Sequence, residues 1–343
     1  MKRQYSTLKF TRDLYKTNKQ VLSFNNIKTK KNLILWQAKL KKKLIQLLGG
    51  FPEEKCKLNP EVIEIKNFKN YSREKIIFQS RHNTTVISYL LIPEGFKTPG
   101  PVVICLPGHG RGVDSIIGIN EDGTMRNKYG EYQNDFALQC VDNGFAAFAI
   151  EQFGFGYRKD ENAVKRGVNE SSCQPAAGAA FLFGETMIGW RVYDVIRTID
   201  YLNIRKEIDK KRIGCMGISD GGTITLFSSA VDNRIKVAVV SGYFNTFKDS
   251  IMSIFHCIDN YVPNILKYAE MYDIAGLIFP RYIFTEAGIK DPVFPISAFN
   301  RAFNKLKGLY KKFGYEERID REIFNNEHIF YGKKAIKFLK KWL

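Results

Sequence analysis

Ile213-Gly214-Cys215-Met216-Gly217-Ile218-Ser219-Asp220-Gly221-Gly222 decides the reading of this chain. An apolar run of strand character ends at a glycine, a serine stands two residues on, and the stretch from Thr223 to Val231 is patterned as a helix. G-x-S-x-G acquires chemical meaning in that setting. Its small glycines let the chain turn sharply from strand to helix, which pushes the serine hydroxyl into the open. The first N–H groups of the following helix then point toward any anion that develops there. Ser219 is the candidate nucleophile; the plainer alternative is a glycine-rich turn whose serine caps a helix.

Outward from this stretch, short apolar runs alternate with helical patterns. On the amino-terminal side PVVICLP (101–107) precedes Tyr132 to Asn143, and FAAFAIEQ (145–152) precedes Phe181 to Leu202. On the carboxyl-terminal side come KVAVVSGYF (236–244), then RYIFTEA (281–287) with Ile296 to Phe313, then Glu317 to Phe324 with the last helix GKKAIKFLKKWL (332–343). Alternation with nearly continuous apolar strands predicts an α/β fold, a mostly parallel sheet covered by helices on both faces. Ligands in such sheets bind beyond the carboxyl ends of the strands, so the site belongs in strand-to-helix loops.

Before residue 101 the texture differs. Residues 1 to about 30 show no clear periodicity and are expected to form an arm. Leu33, Trp36, Leu40, Leu44 and Leu47 mark an amphipathic helix that Gly49-Gly50 and Pro52 end. Glu74 to Ser80 and Thr84 to Pro93 read as a hairpin at the edge of the sheet. The expected division is an amino-terminal arm and helix over 1–72 and a catalytic domain over 73–343 that opens with the edge hairpin.

The 343 residues are 44% hydrophobic, enough for a large core. No run approaches the roughly 20 apolar residues of a membrane span, and the basic opening MKRQYSTLKFTRDLYKTNK leads into no apolar signal region, so a cytoplasmic protein is expected. The formal net charge of +18 is spread along the chain, and Lys41-Lys42-Lys43 falls on the polar face of a helix; nucleic acid is not an expected partner. Six cysteines lack CxxC or zinc-type spacing, which argues against a disulfide framework and a structural metal. Cys173 and Cys257 nonetheless both fall in loop-like stretches that could meet in a site wall.

A serine hydroxyl needs a base. Of the four histidines, His82 lies in the hairpin turn, His109 in an early glycine-rich loop, and His256 ahead of any convincing acid. His328 follows the last predicted strand, where the chain order Ser, Asp, His puts the base. The acid that orients it is best sought at Asp291, which opens the turn Asp291-Pro292-Val293-Phe294-Pro295; Glu286, at the strand's end, and Asp259 are the other candidates. Leu106-Pro107-Gly108-His109-Gly110-Arg111-Gly112 can supply one backbone N–H to an oxyanion, with the main chain of His109 as donor, and Asp220 after the nucleophile can supply the other. A phosphate loop is the rival for the glycines, but G-x-G-x-x-G from Gly108 would need glycine at Val113, and no Walker A pattern occurs.

With these residues in hand, the chain resembles the α/β-hydrolase superfamily, and within it the dienelactone hydrolase-like and acetyl xylan esterase-like branch of bacterial esterases. The resemblance runs over about 32–343. It includes the glycine-rich loop, the segment Glu151 to Arg158 (EQFGFGYR) as a form of D-x-x-G-x-G-x-R, Phe183 to Tyr201, and His256 to Pro263. It implies Ser219, Asp291 and His328 as a catalytic triad, with His109 and Asp220 as oxyanion donors. Two departures stand out: Pro107 occupies the first histidine position of H-G-x-G, and Asn326-Glu327 replace small residues before the base. Ser219, where dienelactone hydrolases proper carry cysteine, points to the esterase side.

The expectation is a two-step ester hydrolysis on a small-molecule ester, with a small acyl group such as acetyl on a sugar, requiring no metal or organic cofactor. Loops Cys173 to Gly184 and Phe255 to Leu277 are expected to wall the pocket. The competing readings are a prolyl-type peptidase, against which no repeat-built propeller is found, and a silent scaffold that binds without catalysis.

Overall fold

Apolar strands that read as continuous runs need cover on two faces, and the helices that follow them supply it. In the computed structural model, which describes residues 5–343, the elements are α1 (Thr7–Thr17), α2 (Lys30–Leu47), β1 (Glu61–Asn67), β2 (Tyr71–Arg81), β3 (Thr84–Pro93), β4 (Gly100–Leu106), α3 (Phe136–Asp142), β5 (Ala146–Ile150), α4 (Glu161–Arg166), α5 (Cys173–Leu182), α6 (Met187–Leu202), β6 (Ile208–Ile218), α7 (Asp220–Val231), β7 (Ile235–Ser241), α8 (Met271–Gly276), β8 (Tyr282–Gly288), α9 (Ile296–Lys312), β9 (Ile319–Phe324) and α10 (Lys333–Trp342). One nine-stranded sheet runs β1-β2-β3-β5-β4-β6-β7-β8-β9. The first three strands are antiparallel, β3 meets β5 antiparallel, and every pairing from β5 to β9 is parallel. This is the α/β-hydrolase arrangement that the sequence suggests.

Alternation along β4 divides the core. Val102, Ile104 and Leu106 join a cluster with side chains of α2, α6, α7, α8 and α9, while Val103 and Cys105 face α3 and α10. Burying each such aliphatic side chain contributes about 1.5–3 kcal/mol.

Three expectations need correction. The amino-terminal residues from 5 onward are not an undetermined arm: α1 is capped by Ser6, and Tyr15 Oη donates to Glu270 Oε2 at 2.7 Å. Leu22 N–H donates to Tyr268 O at 2.8 Å. These partners are about 250 residues away, so no local periodicity announces them; residues 1–4 of the expected arm lie outside the described residues. The hairpin β2–β3 is not the sheet edge, because β1 pairs outside β2. β1 is exposed at six of seven positions and carries Glu61, Glu64 and Lys66, as an edge strand that discourages further pairing should. Finally, Cys173 to Leu182 is a helix rather than a loop. Its alanines and glycine give no amphipathic signal, and Pro175 is tolerated in its first turn.

Among the described residues no helix is long and apolar enough to cross a membrane.

Candidate active site

The turn between β6 and α7 determines where Ser219 sits. Its backbone has φ +57° and ψ −121°, a region costly for a residue with a Cβ. Close packing on all sides enforces it: a Cβ on Gly221 would collide with the Leu106 carbonyl, and one on Gly217 with the backbone of Gly221. Ser219 N–H donates to Ser241 O at 3.0 Å, and Thr223 N–H donates to Ser219 O at 2.9 Å. The elbow is thereby tied to β7 and to its own helix.

His328 arrives from the loop between β9 and α10, and Asp291 from the loop after β8. The two meet with Nδ1 to Oδ2 at 2.7 Å. The other carboxylate oxygen of Asp291 accepts from the N–H groups of Val293 (2.8 Å) and Phe294 (3.0 Å), which fixes the acid in one orientation. With Nδ1–H donated to Asp291, the lone pair lies on Nε2, which is buried and has no hydrogen-bond partner among the described residues. The ring lies against Gly242, where a Cβ would approach Cε1 to 2.9 Å, and Gly242 directly follows the Ser241 that holds the Ser219 backbone. Tyr132 stacks on it at 6.0 Å between centroids, and Phe294 at 5.7 Å on another side.

Glu286, the alternative acid, is committed elsewhere. It accepts from Ser241 Oγ (2.8 Å), Tyr331 N–H (2.9 Å) and Gly332 N–H (3.0 Å), so it anchors the loop that carries His328. Burial pushes its carboxyl up to about 7 against these three donors. His82 is exposed in the β2–β3 turn, and His256 contacts Phe294 without an acid on its ring.

The glycine-rich loop passes directly over the elbow. A Cβ on Gly108 would come within 2.8 Å of Ile218 O and 3.0 Å of Ser219 Cβ. Gly108 N–H donates to Gln133 Oε1 at 2.8 Å, and Tyr132 Oη donates to His109 O. The main-chain N–H groups of His109 and Asp220 make no hydrogen bond among the described residues. Pro107 turns its carbonyl toward Gln152 Nε2. Behind the loop Glu151 accepts from Val113 N–H (3.1 Å) and Tyr157 N–H (3.2 Å), while Arg158 binds Glu151 O (3.0 Å) and Asp194 (2.7 Å). The EQFGFGYR segment therefore braces the glycine-rich loop.

Asp220 and Asp259 belong to a second, fully buried group centred on Arg191. The guanidinium binds Asp220 Oδ2, Asp259 Oδ2 at 2.9 Å and Cys173 Sγ at 3.2 Å. Asn260 Nδ2 donates to both carboxylates, at 3.2 and 2.9 Å. Burial works against charge on Asp259, but His109 and Arg191 hold its carboxyl well below the usual range. Burial pushes the Asp220 carboxyl up to about 7, opposed by Arg191. Burial also disfavours a charged His109, yet Asp259 outweighs it and holds that imidazole well above its ordinary value. The expected meeting of Cys173 and Cys257 occurs here: a hydrogen bond from Cys257, helped by Arg191 and His109 against burial, pushes Cys173 down to about 5. Sequence reasoning missed Arg191. The available signal was a charge within the otherwise apolar start of α6, Met187-Ile188-Gly189-Trp190-Arg191-Val192.

The expected pocket walls divide. Cys173, Cys257 and Asp259 lie beside the glycine-rich loop, whereas Leu182, Phe183 and Phe255 point into solvent. An apolar cleft of about 420 Å³ opens under α1, lined by Leu14, Tyr15, Phe247, Ile251, Asn260 and Val262. Ser219 and His328 do not line it.

Known proteins share this architecture. A Bacillus subtilis (strain 168) protein named as a candidate hydrolase, YtaP, is 26% identical over 319 residues, spanning 90% of this chain and all of that protein. A candidate acetyl xylan esterase from Bacteroides fragilis NCTC 9343 superposes with a TM-score of 0.78 at 18% identity, over 98% of this chain and 90% of the other. A glucuronoyl esterase from Solibacter usitatus gives 0.66 at 14% identity, over 89% and 92%. At these identities the two structural likenesses are likenesses of fold. The profile of the Abhydrolase family matches residues 1–308, which takes in the elbow, the glycine-rich loop and Asp291 and stops short of His328. The chain belongs to the Abhydrolase family.

Proposed function

We propose that this protein hydrolyses carboxylic esters through a covalent acyl-serine, acting on small acyl groups of the acetyl type, including those carried by carbohydrates. One observation carries the reading: His328 is oriented by Asp291 through Nδ1, its Nε2 makes no hydrogen bond among the described residues, and its ring packs on Gly242, next to the Ser241 that holds Ser219 on its strained strand-to-helix turn. That division of the two ring nitrogens is what general-base activation of a hydroxyl requires.

In the proposed reaction Nε2 takes the Ser219 proton as Oγ attacks the ester carbonyl carbon. The oxyanion is received by the N–H groups of His109 and Asp220, each contributing about 10²–10³ in rate. Collapse expels the alcohol, which leaves with the proton held on Nε2. Water then surrenders a proton to the same nitrogen, attacks the acyl carbon and releases the acid with Ser219 restored. Every step balances with the chain's own groups. The names of the structural neighbours support esters as the substrate class, and acetylated sugars are the narrower choice.

Hydrolysis of p-nitrophenyl acetate tests the reading, beside an amino-acyl anilide panel and acetylated or methyl-esterified sugars. The expected result is turnover of acetyl esters and labelling by a fluorophosphonate, both absent in Ser219→Ala. Preference for anilides would mean a peptidase, and absence of labelling in the folded wild-type protein would mean a silent scaffold.

A further inference from the structure

The group of side chains beside the glycine-rich loop contains more donor atoms than charge pairing uses. His109 Nε2, Cys173 Sγ, Cys257 Sγ and an oxygen of Asp259 all lie within 4.8 Å of one another. His109 Nε2 stands 3.5 Å from Asp259 Oδ2 and is buried with no properly formed hydrogen bond. Both cysteines are free thiols. Four ligands around a tetrahedral zinc ion sit roughly 3.3–3.8 Å apart, given metal–sulfur and metal–nitrogen bonds near 2.3 and 2.1 Å. The widest pair needs to close by about 1–1.5 Å to reach that spacing.

We infer that these four residues form a binding site for one divalent transition-metal ion of the zinc class, separate from the proposed triad and independent of whether the protein is an esterase. Two thiolates and one imidazole match the borderline-soft preference of such ions, and the hard cations calcium and magnesium would find a single carboxylate. The surroundings also fit. Arg191 donates to Cys173 Sγ at 3.2 Å and to Asp259 Oδ2 at 2.9 Å, and Asn260 Nδ2 donates to Asp259 Oδ1 at 2.9 Å. Outer hydrogen bonds of this kind orient metal ligands.

Charge supports the assignment. With both thiols ionised, the ligands carry three negative charges, which the ion and the Arg191 guanidinium together cancel. Binding expels whatever protons the two sulfurs and His109 still carry, leaving that ring neutral with Nε2 as ligand. With four protein ligands the site is closed in the manner of structural rather than catalytic zinc. It would join the glycine-rich loop, through the His109 ring, to the start of α5 and to the turn Cys257-Ile258-Asp259. His109, Cys173 and the Cys257-Ile258-Asp259 turn are far apart in sequence, which explains why cysteine spacing alone argued against a metal.

The test is an anaerobic titration of the chelator-treated, fully reduced full-length protein with Co²⁺ alone, followed by Zn²⁺. We expect saturation at one Co²⁺ per chain, with visible bands of tetrahedral intensity and a near-ultraviolet thiolate-to-cobalt band, and displacement by Zn²⁺. In Cys257→Ser, at a half-exposed position, the charge-transfer band should fall to about half. Affinity should drop beyond the roughly 10–100-fold that loss of an outer partner costs. In the wild-type protein, saturating Zn²⁺ should protect Cys257 from alkylation, a readout that needs no variant to fold. Absence of a saturable cobalt spectrum in the folded protein, a spectrum indifferent to Cys257→Ser, or Zn²⁺ binding that leaves Cys257 equally reactive would each overturn the assignment.

Discussion

Ser219 lies between two histidine-bearing regions that treat charge in opposite ways. On one side, among the described residues, His328 has a single acid, Asp291, held by two backbone N–H groups, and its Nε2 is without a partner. On the other, His109 faces a buried assembly in which Arg191, Asp220, Asp259 and Asn260 bond to one another. The first can pass a proton back and forth at small cost, because only one ring and one acid must adjust. The second cannot lose Arg191 without leaving two buried carboxyl groups without their cation. Having a histidine near the nucleophile is therefore not enough; what matters is which ring nitrogen the carboxylate occupies and what the other one faces.

The strongest way to break this comparison is to remove the groups on the first side. Ser219→Ala and His328→Ala are each expected to lower kcat for p-nitrophenyl acetate by about 10⁴–10⁶. Circular dichroism should show both variants folded, and near-wild-type turnover in either would dissolve the triad. Next in size, Asp291→Asn keeps the shape but removes the charge that stabilises the imidazolium, and should cost about 10⁴ in kcat. Glu286→Gln should cost far less, and the reverse ranking would transfer the acid's role to Glu286.

On the second side the measurement is stability. Arg191→Met should cost about 3–5 kcal/mol in denaturant unfolding, because it leaves Asp220 and Asp259 buried without their cation. His328→Ala should cost less than this; the opposite order would mean that the two regions do not differ as described. The smallest effect concerns pH. Glu286 has its carboxyl raised from 4.5 to about 7 by burial, so folding favours its protonated form. The stability this lends is fully present below about 4.5 and is lost as pH rises through about 7. Glu286→Gln should flatten the pH dependence of melting across that window, and an unchanged slope would show that other groups set it.

Much of the first region is legible in the sequence. Strand, elbow and helix are contiguous in Ile213 to Val231, and Asp291 and His328 follow ends of apolar runs, so local pattern and chain order suffice. The second region is not. Arg191 sits inside a helix, where a charge ordinarily marks a solvated face, and its partners come from the starts of α5 and α7 and from the turn at Asp259. The same holds at the amino terminus, where α1 has no buried residue of its own and is located by bonds to Glu270 and the 266–268 backbone. β1 escaped notice for a different reason: an exposed edge strand buries no alternating face from which a period of two could be read.

The left-handed backbone at Ser219 has a consequence beyond reactivity. Glycine alone accepts such a conformation without penalty, so Ser219→Gly should yield an inert protein that outlasts its parent on heating, by about 1 kcal/mol or more. Durability and chemistry would then be rivals at this one position, and selection for toughness by itself would erase the hydroxyl.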